Sequence, residues 1–396
     1  MLETPQRIEP ARLESPPEKI ADLVAELAAE TAILGRTLHP RTAASLRDLV
    51  RIMNTYYSNL IEGHNTRPRD IERALVGQFQ ASEETRNLQL EAAAHVRVQA
   101  EVDRLAAANE LPEPASADFI CWLHREFYRD ASDAMLTVQG VDRSFLMHPG
   151  RWRSGKEQDV AVGRHLPPSS DRIPDFMAYF ADRYRLDRMG KVGRIVAMAS
   201  AHHRFNFIHP FPDGNGRVSR LMSHAFAHAS GVGAQGLWSL SRGLARGLES
   251  RSEYKRMMDH ADMPRQGDRD GRGNLSEQAL IDFVEWFLKV CLDQVTFMSS
   301  LFDLDGLASR LKQYVERHAV LRPDAIALLQ QTMMRGEIER GDVSAIIGVP
   351  ERTARRILAD ILDTGLLASD TPKGKLHLRF PAEESEILFP RLFPEA

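Results

Sequence analysis

Cysteine is almost missing from this sequence. Its two copies, Cys121 and Cys291, stand far apart in apolar surroundings (FICWLH and LKVCLDQ). Buried reduced thiols are expected, rather than a disulfide scaffold or a cysteine-built metal site. Long apolar runs are also lacking. The opening MLETPQRIEPARLESPPEK is charged and proline-bearing, with no apolar signal core, and no later stretch is long enough to span a bilayer. A cytoplasmic chain without membrane partners is expected. Excess charge of one sign is lacking too: 51 basic residues face 55 acidic ones, for a net charge of -4. That balance argues against a protein whose main work is coating nucleic acid, though a local basic face stays open. No internal repeat or low-complexity tract stands out.

An ordinary hydrophobic fraction, 43% of 396 residues, points to a folded chain of two or three domains. The first residues, to about Glu18, read as an arm that is loose or ordered on contact. ADLVAELAAETAILGRTL and ASLRDLVRIMNTYYSNLIEG have helical spacing, the second stopping at Gly63 as a C-terminal glycine. HNTRPRDIERALVG reads as a turn and a helix, NLQLEAAAHVRVQAEVDRLAAANE as a long amphipathic helix, and ADFICWLHREFYRDA as another. In HPGRWRSGKEQDVAVGRHLPP the helical period is lost, and a β-hairpin with arms GRWRS and DVAVG is expected. Helices resume in DRIPDFMAYFADRYRL and VGRIVAMASAHHRFNFI and continue through LSEQALIDFVEWFLKVCLDQVTFM. The last part, with three short helices and a β segment in KGKLHLRF, suggests a winged-helix module.

One segment, HPFPDGNGRVSR from His209 to Arg220, concentrates the chemistry. Glycines at the start of a helix let backbone N–H groups approach an anion, and the helix dipole favours negative charge there. Arg217 and Arg220, three apart, project to neighbouring parts of one face and suit a polyphosphate. Asp213 is a candidate Mg²⁺ ligand, and His209 a candidate general base for an incoming hydroxyl. A bland reading is a turn between helices with a satisfied histidine and two solvated arginines. A zinc site from His202, His209 and Asp213 would leave the glycines and both arginines without work.

The segment resembles the signature of the Fic family, H-x-F-x-[DE]-G-N-G-R-x-x-R, and agrees at all eight defined positions. The resemblance extends from roughly Ala117 to Met298. It implies an all-α fold: a Fic helical core with a short β-hairpin flap, an N-terminal helical region and a C-terminal winged-helix domain, with boundaries expected at 1–110, 111–300 and 301–396. It also implies a protein adenylyltransferase moving AMP from ATP to a Ser, Thr or Tyr hydroxyl of a target protein or of itself, with Mg²⁺ and release of pyrophosphate. By position, the resemblance makes His209 the base and Phe211 a core anchor. Asp213 becomes the Mg²⁺ ligand, and Gly214, Asn215 and Gly216 the anion hole. Arg217 and Arg220 become the β- and γ-phosphate ligands. The flap would dock the target's backbone by strand addition, with RWRSGKEQDVAVG the candidate. Tyr254 is the candidate for the adenine pocket, packing being the plain alternative.

SNLIEG, from Ser58 to Gly63, is similar to the family's inhibitory motif [ST]-x-x-x-E-[GN]. Ser58 and Glu62 share a helix face, and a carboxylate at a helix C-terminus needs a cationic partner. The resemblance supplies Arg220 and implies the subclass with an N-terminal inhibitory helix. In the tail, Arg352, Arg355 and Arg356 share a helix with Glu351, Asp360 and Asp363, so DNA is one candidate partner and protein docking another. A nucleotide-sensing DNA-binding regulator, or a Fic enzyme that uses another donor or removes AMP, is the competing function. Relatives that dimerise make a homodimer a further expectation.

Overall fold

The computed structural model describes residues 3–140 and 143–393. Helices dominate, as the recurrent 3.6-residue pattern of Leu, Val and Ala requires. The long Glu277–Leu301 helix buries Leu280, Phe283, Val284, Phe287, Cys291 and Val295, more than one face. It is therefore a central member, with Glu18–Leu34 lying along it and Lys191–Ile208 and Leu240–Arg246 packed on it. Both cysteines are free thiols, Cys291 buried and Cys121 half-buried. No helix among the described residues is long and apolar enough to cross a membrane.

The opening arm is ordered by contact. Ile8, Ala11 and Leu13 are buried, and Glu9 accepts from Tyr179 at 2.5 Å and Arg183 Nε at 2.7 Å. The buried Arg204 guanidinium finds its acceptor in the Pro10 carbonyl, at 2.9 Å from one terminal nitrogen. A buried cation without such a partner is costly, which explains why the arm is held.

The hairpin lies upstream of its expected place. Thr137–Gln139 pairs antiparallel with Ser144–Leu146, Val138 opposite Phe145. The segment expected to form the arms, 150–163, instead runs as irregular chain with one turn of 3-10 helix at Lys156–Gln158 and a bridge between Val162 and His165. Arg153 is the reason. Its side chain is fully buried and its backbone and guanidinium bind the loop that starts the motif, so this chain cannot also lie in a ladder.

Helix Pro40–Ile61 carries SNLI and ends at Glu62, followed by Gly63 at φ 88°, the left-handed conformation that glycine takes at a helix end. It lies beside Glu83–Ala107, which in turn packs on Asn215–Ala229. Three consecutive layers thus connect residue 62 to the motif. The tail has helices Ala325–Arg335, Val343–Ile347 and Glu351–Asp363 and a three-stranded antiparallel sheet whose central strand is Leu376–Leu378. It rests on Pro40–Ile61: Thr42 donates to the Met333 carbonyl at 2.8 Å and Tyr57 to that of Leu392 at 3.1 Å.

Candidate active site

Helix Lys191–Ile208 is buried along nearly its whole second half, and it stops because His209 adopts φ 51°, ψ 61°. A non-glycine residue in this left-handed region costs about 1–2 kcal/mol. Arg153 holds it there. Its Nε donates to the His209 carbonyl at 2.7 Å and one terminal nitrogen to that of Ile208 at 3.3 Å. The other terminal nitrogen donates to Ser170 Oγ at 2.9 Å, and the Arg153 backbone N–H donates to Pro210 O at 2.9 Å. These bonds satisfy the carbonyls that the helix end leaves open.

The loop then closes on itself. Asn215 Nδ2 donates to the Phe211 carbonyl at 2.8 Å and its Oδ1 accepts from the Phe211 N–H at 2.9 Å. The Asn215 amide thus fastens the loop to its own backbone. Phe211 is fully buried, stacked on His124 at 3.9 Å between ring centres. His124 itself accepts from Gly150 N–H through Nδ1 at 2.8 Å, which leaves Nε2 to donate to the Asp213 carbonyl at 3.2 Å. Gly214 has φ 79°, and a Cβ there would come within 2.8 Å of the Tyr128 ring. Glycine is needed on both counts.

Helix Asn215–Ala229 starts here with no acidic residue in its first turn. The carboxylate that does sit at this positive end comes from elsewhere in the chain: a Cβ on Gly216 would overlap Glu62 Oε1. Arg220, 1% exposed, donates from Nε to Ser58 Oγ at 2.8 Å and from a terminal nitrogen to Glu62 Oε1 at 2.6 Å. Burial acts to raise the Glu62 pKa, but the Arg220 and Arg217 charges and the Arg220 hydrogen bond outweigh it, and the carboxyl is held below its ordinary range. Arg217 donates to Tyr128 Oη at 3.0 Å and to Glu91 at 3.3 Å. Asp213 is exposed; one carboxylate oxygen accepts from Gly214 N–H at 2.6 Å and the other from Tyr128 at 3.3 Å.

The His209 imidazole is neutral at ordinary pH. Burial, reinforced by the Arg153 charge, brings its pKa down to about 4, and its Nδ1 is buried without a hydrogen-bond partner. Tyr254 is interior: its hydroxyl meets His202 Nε2 at 2.8 Å, and His202 Nδ1 meets Ser223 Oγ at 2.9 Å. With both nitrogens of His202 so engaged, the zinc trio of His202, His209 and Asp213 is not assembled. Arg153, Tyr128, His124 and Glu91 are the site residues that sequence reasoning missed. Their partners within the motif lie between 56 and 126 residues away along the chain, so no local spacing marks them.

Residues 114–227 match the Fic/DOC family. Among curated proteins, the chain is 28% identical over 181 residues to a protein adenylyltransferase Fic of Nematostella vectensis, covering 44% of this chain and 37% of that protein. It is 33% identical over 76 residues to the protein adenylyltransferase Fic of Drosophila willistoni, 19% of this chain and 15% of that one. The matched parts are thus well under half the length of these relatives. Among solved structures, a Fic family protein from Desulfovibrio desulfuricans G20 superposes over 91% of this chain and 96% of its own, with a TM-score of 0.53 and 19% identity. At that identity the likeness concerns the fold, which is largely helical in both its core and its flanks.

Proposed function

We propose that this chain is a protein adenylyltransferase held off by its own Glu62. The observation that carries the reading is the clamp on Arg220, bonded at 2.8 Å to Ser58 and at 2.6 Å to Glu62 across 158 or more residues of chain. In the proposed reaction a Ser, Thr or Tyr hydroxyl of a target attacks the α-phosphorus of ATP. The new O–P bond forms as the bond to the β-phosphate bridge breaks, pyrophosphate leaves, and His209 accepts the hydroxyl proton. Backbone N–H groups at Gly214–Gly216 and the Arg217 guanidinium hold phosphate oxygens. Arg220 would hold the γ-phosphate once Glu62 lets it go.

Asp213 fits a Mg²⁺ role: one exposed carboxylate with lone pairs to spare at an oxygen-only site suits an ion that keeps several waters. The ion would neutralise phosphate charge. Asp213 itself is aimed by Gly214 and Tyr128. Thr137–Gln139 and Ser144–Leu146 form a two-stranded sheet, so each strand has an unpaired outer edge where a target segment can add as a third strand. Arg143 braces this hairpin through the Lys156 and Asp159 carbonyls at 3.0 and 2.7 Å.

The test uses ATP labelled at either the α- or the γ-phosphorus, with Glu62→Gly and Glu62→Gly/His209→Ala proteins. Label from the α position alone, lost with His209, supports AMP transfer; label from the γ position means a kinase, and no label with ATP bound means nucleotide sensing. The second reading, a winged-helix DNA-binding regulator, draws on Arg352, Arg355 and Arg356, all exposed on helix Glu351–Asp363. A salt-sensitive shift of duplex DNA that Arg352→Ala/Arg356→Ala removes would favour it.

A further inference from the structure

Helix Asn215–Ala229 carries two further groups beyond the motif, His224 and His228, one turn apart on one face. Facing them from helix Glu83–Ala107 is Asp103. All three are buried or nearly so, with side chains 9%, 10% and 2% exposed. Asp103 Oδ1 lies 2.7 Å from His224 Nε2 and 2.9 Å from His228 Nε2, and the two nitrogens are 3.3 Å apart. Nothing in the proposed AMP transfer uses them.

We propose that Asp103, His224 and His228 are the ligands of a divalent first-row metal ion, with Zn²⁺ the best match. The triangle of donor atoms has a circumradius of about 1.7 Å, shorter than the roughly 2.0–2.1 Å of Zn–N and Zn–O bonds. An ion about 1 Å off the plane of the three atoms reaches all of them at ordinary bond length, and a tetrahedral arrangement opens the two Asp103 distances from 2.7 and 2.9 Å to about 3.3 Å. Two imidazole nitrogens 3.3 Å apart match the edge of a zinc tetrahedron. The rest of the surroundings orient ligands. Arg51 Nε donates to the other Asp103 oxygen at 2.8 Å, leaving Oδ1 for the ion. The loop after the helix packs on the cluster through glycines: a Cβ on Gly233 would come within 2.6 Å of His228 Nδ1, and one on Gly236 within 3.0 Å of Asp103.

Three protein ligands leave a fourth position, and this side of the cluster opens on a cavity of about 490 Å³. Asp103 and His228 line it, with Gly35, Arg47 and Gln235. A water from that cavity would complete the fourth position. The ion would join helix Asn215–Ala229 to helix Glu83–Ala107, the pair that also brings Arg217 to Glu91.

The experiment is metal analysis of the full chain after exposure to Zn²⁺ and gel filtration. Wild type is expected to keep about one equivalent, and His224→Asn/His228→Asn at most a tenth of that. Asp213→Ala is expected to retain the ion, which separates this site from the motif. Co²⁺ titrated into wild type should give the visible absorption of a four-coordinate His-ligated site, so the decision stands even if the double variant fails to fold. Wild type without stoichiometric metal and without that absorption would overturn the proposal, leaving a hydrogen-bonded cluster. Retention by a folded double variant, or loss in Asp213→Ala, would overturn it as well.

Discussion

Arg220 and Glu62 meet at 2.6 Å, with Arg220 almost wholly buried and the Glu62 side chain still 31% exposed. The arginine cannot change partner by swinging into solvent; the glutamate can leave. This asymmetry makes Glu62 the movable member of the clamp. Removing an acid usually leaves a buried cation uncompensated, but here Arg220 keeps Ser58, and in the proposed reaction phosphate oxygens of ATP would replace the carboxylate.

Ser58 is the lesser half of the clamp. Ser58→Ala removes one hydrogen bond from the charged guanidinium, worth about 1.5 kcal/mol or more, and leaves the Glu62 ion pair in place. AMP transfer by this variant should rise a few-fold, clearly less than for Glu62→Gly, when initial rates are compared at saturating ATP. Equal effects would mean that the hydroxyl and the carboxylate act as one unit.

Arg153 is, in the proposed reaction, a positioning residue for His209. Arg153→Ala leaves the His209 and Ile208 carbonyls without donors in a buried place, and the loss of stability should be about 3 kcal/mol. Thermal unfolding measures that loss. Arg153→Lys should recover part of the stability yet little of the turnover, because one ammonium cannot reach the same set of carbonyls.

Gly214→Ala combines a strained φ of 79° with a clash against Tyr128. A cost of about 1–3 kcal/mol is expected, together with loss of nucleotide binding as the loop shifts. Calorimetric titration with an ATP analogue checks it; unchanged affinity would mean that the loop is not the phosphate cradle.

His209, with its pKa brought to about 4 by burial and Arg153, is already unprotonated at neutral pH. The rate of AMP transfer should be level between about pH 5.5 and 8, without the inflection near 6.5 that an ordinary histidine would give. Stability behaves differently. His95 and His202 are brought to about 3, and His124 to about 4, in each case chiefly by burial. Below about 6.5 the unfolded chain takes up protons at these sites that the folded chain refuses, so stability falls with acidification by up to about 1.4 kcal/mol per pH unit for each histidine. Melting temperature should drop between pH 7 and pH 5; a constant value would place these rings in wetter surroundings.

Much of this was legible in residue order. Helix Pro40–Ile61 and its stop at Gly63 follow from apolar spacing and a glycine, and the motif's glycines announce a helix start. The hairpin lies outside the expected arms, and its strands Thr137–Gln139 and Ser144–Leu146 are three residues each, too short for alternation to show. Arg153 drew chain away from the expected arms, and a buried arginine whose acceptors are backbone carbonyls leaves no trace in sequence. Tyr254 shows the converse: an aromatic on an amphipathic helix gave no hint that its hydroxyl would be taken by His202.

The central claim is that Glu62 restrains Arg220. The most direct measurement is the initial rate of AMP transfer by Glu62→Gly relative to wild type, with ATP affinity determined on both. The account predicts at least about a tenfold rise, the factor that 1.4 kcal/mol corresponds to, with ATP still bound by both proteins. Equal rates with equal ATP affinity would contradict it, and would make the Arg220–Glu62 pair a structural contact only.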